Sequence, residues 1–191
     1  MKNILYINAC VREESRTALI ADAYLKKAVN EENTVVNEVK LEELDIKPLG
    51  GKLLEMRNQL HESENLDHEF FQLARQFANA DEIVVAAPYW DLSFPALLKT
   101  YVENICVTGI TFYYGENGIP VGLCKAKKLT YVTTAGGYIG DFNMGFDYIR
   151  NLSAGLFNIP EINCIKAEGL DIFGADVKKI IEETIKEEIN V

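Results

Sequence analysis

Five short apolar runs of strand-like composition alternate along this chain with longer segments of helical periodicity. The runs lie at residues 4–8, 34–39, 83–87, 129–134 and 162–167. Short apolar runs separated by helical segments are typical of a parallel sheet that is covered by helices on both faces. The alternation therefore predicts an α/β fold with five parallel strands joined by right-handed crossovers.

Helical periodicity is clearest after the first run, after the third run and at the end of the chain. Apolar residues recur every three or four positions at 18–25, 97–105 and 175–190. In the last of these segments the apolar residues lie opposite charged ones, so we expect it to close the fold as an amphipathic helix.

The connection at residues 41–79 is long for a single crossover. We expect it to hold a loop or a short helix, followed by a main helix at 66–79. His61 and His68 both lie in this connection among acidic residues. We interpret them as exposed polar positions on a helical surface, without a functional role.

The length of 191 residues and a hydrophobic content of 48% suit one domain, which we place at residues 1–191. The four cysteines form no CxxC pair, and the spacing of cysteines and histidines matches no zinc site. We therefore expect no metal, and reduced thiols in a cytoplasmic protein.

The formal net charge of −10 disfavours two classes of partner. An acidic chain repels the phosphodiester backbone of nucleic acids and anionic membrane surfaces, and no run of lysine and arginine offsets this. The apolar run near the N-terminus does not resemble a signal peptide, and no apolar segment reaches the length of a membrane span, so we expect neither. We expect neither nucleic acid nor membrane as a partner.

The loop after the first run is the strongest candidate for an anion site. It contains Ser15, Arg16 and Thr17 just before a predicted helix, so backbone N–H groups, hydroxyls and a cation converge. The loop lacks the glycines of the dinucleotide and Walker A motifs. This favours a terminal monophosphate. The alternative is an ordinary helix start in which Ser15 is the N-cap.

The loop after the third run, residues 87–95, combines two prolines with two large aromatic residues. Pro88 precedes Tyr89 and Trp90, and Asp91 and Leu92 follow. A rigid turn of this kind provides a stacking surface and fixed backbone groups for a flat heteroaromatic ring. The alternative is that Trp90 only covers the end of the sheet.

The loop after the fourth run contains paired glycines. Thr134 and Ala135 lead into Gly136 and Gly137, where the main chain can approach a ligand closely. A structural turn is the alternative. Ligands of open parallel sheets bind beyond the carboxyl ends of the strands, so we expect this loop to face the aromatic loop across one crevice.

Several motifs together resemble those of the FMN-dependent NAD(P)H oxidoreductases of the flavodoxin-like superfamily, in particular the azoreductase and quinone reductase branch. They occur in the family's order and approximate spacing, and together they cover most of the chain. The motifs are Ala86-Ala87-Pro88, Leu98-Lys99-Thr100-Tyr101, Gly109-Ile110-Thr111-Phe112, Glu116-Asn117-Gly118, Gly136-Gly137 and Ala167-Glu168-Gly169.

This resemblance implies a flavodoxin-like three-layer sandwich with strand order 2-1-3-4-5. It also implies three groups of contacts with FMN. The phosphate contacts carry over to Ser15, Arg16 and Thr17. The contacts with the isoalloxazine ring carry over to Pro88, Tyr89, Trp90, Asp91 and Leu92, and those at the ring's pyrimidine end to Thr134, Ala135, Gly136 and Gly137.

The chain departs from the family where the azoreductase pattern Met-Tyr-Asn-Phe is replaced by Tyr89-Trp90-Asp91-Leu92. Contacts made by the backbone are unaffected by this change. A carboxylate of Asp91 near N1 and O2 of the flavin would oppose the charge of the reduced ring and lower its potential. Ala135 also stands where the family often has a polar residue, so the substrate range does not carry over.

The resemblance further implies two-electron, ping-pong transfer from NADH or NADPH to a quinone, azo compound or similar small acceptor. The flavin carries the chemistry, so no catalytic side chain is required. The family's homodimer places Phe112, Tyr113 and Tyr114 as lid residues that reach the partner's site, and core packing is the alternative for them, more so for Phe112 than for Tyr114. We expect Trp90, Tyr114 and Tyr138 to line the acceptor pocket.

Two other functions are compatible with the sequence. An acidic surface also suits a flavodoxin-type electron carrier that docks on cationic partners and does not itself oxidise NAD(P)H. A flavin-free binding or regulatory module on the same scaffold is the third possibility.

Overall fold

The computed structural model describes residues 1–31 and 33–190. The helices are α1 (Arg16–Glu31), α2 (Gly51–Glu62), α3 (Gln72–Asn79), α4 (Ala96–Ile105), α5 (Met144–Gly155) and α6 (Val177–Thr184). The strands are β1 (Lys2–Asn8), β2 (Thr34–Lys40), β3 (Glu82–Ala86), β4 (Phe112–Tyr114), β5 (Pro120–Gly122), β6 (Lys128–Thr134) and β7 (Glu161–Ala167).

The five predicted strands form one parallel sheet in the order β2-β1-β3-β6-β7. Without the short strands β4 and β5, this order is the predicted 2-1-3-4-5. Every residue of the central strand β3 is buried. The prediction of a flavodoxin-like α/β fold is confirmed.

Helices cover both faces of the sheet, because alternate residues of each strand point to opposite sides. Leu5 and Ile7 of β1 belong to one core, whereas Ile4 and Tyr6 belong to the other. The first core also contains residues of α3, α4 and α5, and the second contains residues of α1 and α6. In this three-layer arrangement the helices lie above and below the sheet, and the loops lie at the ends of its strands.

The connection between β2 and β3 differs in detail from the prediction. The expected main helix at 66–79 begins as an α-helix only at Gln72, after a 3₁₀ turn at Glu69–Phe71. The imidazole Nδ1 of His68 accepts a hydrogen bond from the backbone N–H of Phe70 at 3.1 Å, which caps this turn. His61 is exposed at the end of α2, as expected. His68 is a half-buried capping residue instead.

Strands β4 and β5 form an antiparallel hairpin that the sequence pattern did not predict. Each strand has only three residues, which is too short for a period of two to be visible. Phe112 is buried in this hairpin, whereas Tyr113 and Tyr114 are exposed. The interpretation of Phe112 as a lid residue is therefore wrong, and core packing accounts for it.

The helices within residues 1–31 and 33–190 include none with the length and hydropathy of a membrane span. The four cysteines are free thiols.

Candidate active site

A cavity of about 410 Å³ lies at the carboxyl ends of β1, β3 and β6. It brings together the three loops that the sequence indicated. Its lining comprises Val11, Arg12, Glu14, Ser15, Arg16, Thr17, Pro88, Tyr89, Trp90, Thr134, Ala135, Gly136, Leu170 and Asp171. Most of the predicted cofactor residues therefore face one space.

Five predicted site residues lie outside this lining. They are Asp91, Leu92, Gly137, Tyr114 and Tyr138. All five are exposed, and Asp91 and Gly137 directly follow the lining residues Trp90 and Gly136 in the chain. Of the three predicted acceptor-pocket residues, the cavity of this chain includes only Trp90.

The first loop presents an anion-binding arrangement at the start of α1. Ser15 Oγ accepts a hydrogen bond from the backbone N–H of Ala18 at 3.2 Å, so Ser15 is the N-cap that the alternative interpretation predicted. Capping and anion binding are compatible here, because the N–H groups of the first helical turn carry partial positive charge at the cavity wall. Arg12 and Arg16 also line the cavity, together with the acidic residues Glu14 and Asp171.

Arg16 and Thr17 connect this loop to the other side of the cavity. Arg16 Nη1 donates to Asp171 Oδ1 at 2.7 Å, and both side chains are substantially exposed. Thr17 is buried, and its Oγ1 lies 2.6 Å from Thr134 Oγ1. The Thr17 hydroxyl therefore ties α1 to β6.

The aromatic loop contains a tight two-residue turn. The N–H of Trp90 donates to Ser93 O at 3.2 Å, and the N–H of Ser93 donates to Trp90 O at 2.7 Å. The central residues have positive φ angles, 51° at Asp91 and 64° at Leu92. These angles are those of a type I′ turn, which normally uses asparagine and glycine. Strain of about 1–3 kcal/mol per residue is typical of such positions and concentrates at functional sites.

Two contacts, one with the segment that leads into α5 and one with α5 itself, hold the aromatic loop in place. Tyr89 Oη donates to Phe142 O at 3.0 Å. A Cβ on Gly145 would lie 3.1 Å from the backbone carbon of Ser93 and 2.8 Å from Tyr131 Oη, so only glycine fits there without displacement. The strained turn is therefore supported from outside the cavity.

The glycine loop packs against the segment that follows β7. The backbone N–H of Asp171 donates to Gly136 O at 2.8 Å, and that of Gly169 donates to Gly137 O at 2.9 Å. A Cβ on Gly136 would overlap the Asp171 carboxylate, whereas Gly137 has open space around it. A side chain at Gly136 would therefore displace the Asp171 carboxylate from its position, and glycine at Gly137 leaves a main-chain surface uncovered.

Glu168 fixes the far end of the glycine loop. Its Oε2 accepts from the backbone N–H of Ile139 at 2.9 Å, and its Oε1 lies 3.0 Å from Lys166 Nζ. Burial alone would raise the pKa of Glu168, but the Ile139 hydrogen bond and Lys166 outweigh it and lower the pKa. The charged form of Glu168 therefore holds the loop.

The thiol of Cys10 lies behind the first loop. Burial raises its pKa despite an opposing hydrogen bond with Ser15, so the thiol stays protonated. Cys10 is therefore a packing residue in this site, and it is not an activated nucleophile.

Glu168 and Asp171 also belong to the site, although the sequence interpretation assigned neither of them a role: Glu168 was part of the motif Ala167-Glu168-Gly169, and Asp171 was not singled out. Both follow β7 and so lie at the same edge of the sheet as the three loops. The rule that ligands bind beyond the carboxyl ends of strands applies to the fifth predicted strand as well, and it would have indicated both residues.

A larger cavity of about 640 Å³ lies between α1 and the end of the chain. It is an open groove that includes Leu19, Lys26 and Ile185. None of the three loops contributes to it. The smaller cavity is the better candidate site because it combines cations, hydroxyls, aromatic rings and close backbone at one strand edge.

A family model described as the flavodoxin-like fold matches residues 2–189. Among curated relatives, the FMN-dependent NADH:quinone oxidoreductase 2 of Clostridium acetobutylicum is 40% identical over 97% of this chain and 96% of its own length. The FMN-dependent NADH:quinone oxidoreductase 2 of Clostridium perfringens is 35% identical over 100% of this chain and 98% of its own length.

Solved structures show the same architecture. An azoreductase from Bacillus anthracis superposes with a TM-score of 0.84 at 23% identity and covers 100% of this chain and 98% of its own. An FMN-dependent NADH-azoreductase from Bacillus anthracis, in complex with FMN, superposes with a TM-score of 0.83 at 20% identity and covers 100% and 97%.

Proposed function

This chain belongs to the flavodoxin-like fold family, and on that basis we propose that it is an FMN-dependent NADH oxidoreductase that reduces quinone or azo acceptors. Residues 1–191 would form a single FMN-binding domain that acts in the cytoplasm. The observation that carries the proposal is the cavity at the carboxyl edge of the sheet, where an anion-binding loop, an aromatic turn and a glycine loop meet. The relatives with this activity span nearly the whole chain.

The phosphate end of FMN fits the first loop by the chemistry of its donors. Ser15 and the first N–H groups of α1 would bind phosphate oxygens, and Arg16 would supply a charge-assisted contact. Arg16 Nη1 already donates to the Asp171 carboxylate at 2.7 Å, which supports a role for this guanidinium as a donor to an oxyanion at this end of the cavity. Thr17 would act by fixing the helix start, because its hydroxyl is engaged with Thr134.

The ring end of FMN fits the other two loops. Pro88, Tyr89 and Trp90 would lie along the isoalloxazine, with the strained backbone of Asp91 and Leu92 at its edge. Thr134, Ala135, Gly136 and Gly137 would face the pyrimidine end with main-chain groups. The carboxylate of Asp91 would oppose negative charge on the reduced ring and lower its potential.

Bound FMN would supply the redox chemistry, which is hydride acceptance from NADH followed by two-electron reduction of the acceptor in ping-pong order. The residues of this chain would bind and orient. Trp90 is 38% exposed and offers a face on which the nicotinamide and then the acceptor could stack. No side chain of the site needs to act as nucleophile or strong base.

A homodimer would complete the acceptor pocket. Tyr114 and Tyr138 are 59% and 78% exposed, and neither lines the cavity of its own chain. Clusters of exposed apolar residues mark contact surfaces, and the hairpin that carries Tyr114 also exposes Tyr113, Ile119 and Val121. In the proposed dimer, the hairpin that carries Tyr113 and Tyr114 would reach the partner's cavity, and Tyr138 would form part of its rim.

An anaerobic titration tests the proposed activity. The purified protein, loaded with FMN, is mixed with NADH and then with a quinone. We expect NADH to bleach the visible flavin absorption rapidly and the quinone to restore it. A protein that binds FMN but reacts with neither NADH nor NADPH would contradict the proposal and favour an electron carrier. A protein that rejects FMN would favour a flavin-free module.

A further inference from the structure

Asp171 lies between the two halves of the proposed flavin site. Its carboxylate pairs with Arg16 at the phosphate end, and its backbone N–H donates to Gly136 O at the ring end. The side chain is packed directly over Gly136, where a Cβ would overlap it. Asp171 is therefore held in position at the cavity wall by its own backbone, independently of Arg16.

The contact with Arg16 has the chemistry of phosphate binding. A carboxylate and a phosphate monoester are both oxyanions, and both accept hydrogen bonds from the N–H groups of a guanidinium. Arg16 and Asp171 are 155 positions apart in the sequence, so only the fold brings this anion onto the predicted phosphate residue.

The pair is also open to exchange. The side chain of Arg16 is 42% exposed and that of Asp171 is 69% exposed, and a single N–H of the guanidinium makes the contact. Ion pairs this exposed contribute little to stability. A ligand with greater charge can therefore displace the carboxylate at small cost.

We infer, on the basis of the proposed function, that Asp171 is an internal competitor for the phosphate of FMN. In the flavin-free protein its carboxylate pairs with the guanidinium of Arg16, and the phosphate of FMN displaces the carboxylate when it binds. Once FMN is bound, Asp171 also places a negative charge beside the phosphate dianion. Both effects weaken the binding of FMN and leave riboflavin, which has no phosphate, unaffected. Asp171 is thus a residue that determines specificity for the cofactor.

An orienting role for Asp171 would have the opposite consequence. If the carboxylate served to preorganise Arg16 for the phosphate, its removal would weaken FMN binding. The two roles therefore differ in the sign of one measurable change.

The test is the binding of FMN and riboflavin to Asp171→Asn, measured by calorimetry on the flavin-free protein. We expect FMN to bind roughly threefold to tenfold more tightly than to the wild type, because a like charge and a competitor are removed. The affinity for riboflavin should not change. In an Arg16→Ala background, Asp171→Asn should still tighten FMN binding, but by less than in the wild type, because the competition for Arg16 is absent and only the like charge remains to be removed.

Asp147→Asn is the matched control, since Asp147 forms a similarly exposed pair with Arg150 at 2.9 Å outside the cavity. It should leave both affinities unchanged. Unchanged or weaker FMN binding by Asp171→Asn would overturn the inference. It would also be overturned if Asp171→Asn tightened riboflavin binding as much as FMN binding, or if Asp147→Asn tightened FMN binding equally. Failure of the wild type to bind either flavin would overturn the proposed function together with the inference. Wild-type binding with an unchanged variant would overturn the inference alone.

Discussion

The two ends of the central sheet hold their charged groups in opposite ways. At the amino end, the carboxylate of Glu82 is buried and accepts from Tyr24 Oη at 2.6 Å, with Lys2 Nζ at 2.9 Å. Burial and the bond to Glu82 raise the pKa of Tyr24, so its hydroxyl remains a donor. At the carboxyl end, Arg16 and Asp171 make one contact and are exposed.

The backbone also differs between the two ends of the sheet. The strand that begins at Glu82 is regular and buried along its whole length. The carboxyl end of that same strand leads into a turn with two left-handed residues, Asp91 and Leu92, neither of which is glycine. Buried and satisfied polar groups stabilise one end of the sheet, whereas exchangeable and strained groups leave the other end able to bind a ligand.

The largest effect on stability should come from the amino end. Glu82→Ala removes a buried carboxylate that contacts both the half-buried Tyr24 hydroxyl and the Lys2 ammonium, and we expect a loss of about 2–3 kcal/mol in the free energy of unfolding. The measurement is urea denaturation. The affinity for FMN should remain that of the wild type.

Glu161→Ala provides the control for that loss. Glu161 pairs with Lys128 at 3.6 Å at the same end of the sheet, but it is 57% exposed, so its removal should have little effect on unfolding. If the two variants lost equal stability, burial would not be the reason, and the contrast between the two ends would fail.

Arg16→Ala should reduce FMN affinity and leave stability unchanged, the reverse of Glu82→Ala. Loss of a charge-assisted contact should weaken FMN binding about tenfold to a hundredfold, with riboflavin binding and unfolding unchanged. Calorimetric titration with both flavins measures this. The control is Arg150→Ala, which removes a similarly exposed ion pair outside the cavity. Equal weakening of FMN and riboflavin would remove Arg16 from the phosphate site.

The strained turn gives the next prediction. Leu92→Gly should increase the free energy of unfolding by about 1 kcal/mol, because glycine adopts positive φ without steric cost. Leu123→Gly, at an exposed leucine outside the left-handed region, should instead cost about 0.5–1 kcal/mol. Thermal unfolding of the flavin-free variants compares them. Destabilisation of both to the same extent would show that Leu92 is not strained.

The smallest expected effect is on the pH dependence of stability. The pKa of Glu168 is lowered in the folded protein from its ordinary value of 4.5, so its contribution to stability is present above that value and is lost as pH falls through the lowered pKa. Glu168→Gln should therefore reduce stability slightly near neutral pH and show less loss on acidification. The urea midpoint at a series of pH values measures this. Parallel curves for wild type and variant would contradict the assigned pKa direction.

The sequence predicted regular elements better than it predicted contacts between distant loops. The five strands were recognisable because β-branched apolar runs stand out from helical segments, and their carboxyl ends located the three loops. The contact between Asp171 and Arg16 was not predicted, because the two residues are 155 positions apart in the sequence. The left-handed turn at Asp91 and Leu92 was equally hidden, since leucine rarely adopts positive φ and the support comes from Gly145 in another element.

The central claim is that the three loops form one flavin site, and Trp90 allows it to be tested directly because it is the only tryptophan in the chain. Its emission is followed while FMN is added to the flavin-free protein. We expect saturable quenching with one FMN per chain, at a midpoint that Arg16→Ala moves to higher FMN concentration. If calorimetry shows FMN bound while Trp90 emission stays unchanged, the flavin lies elsewhere and the account is contradicted.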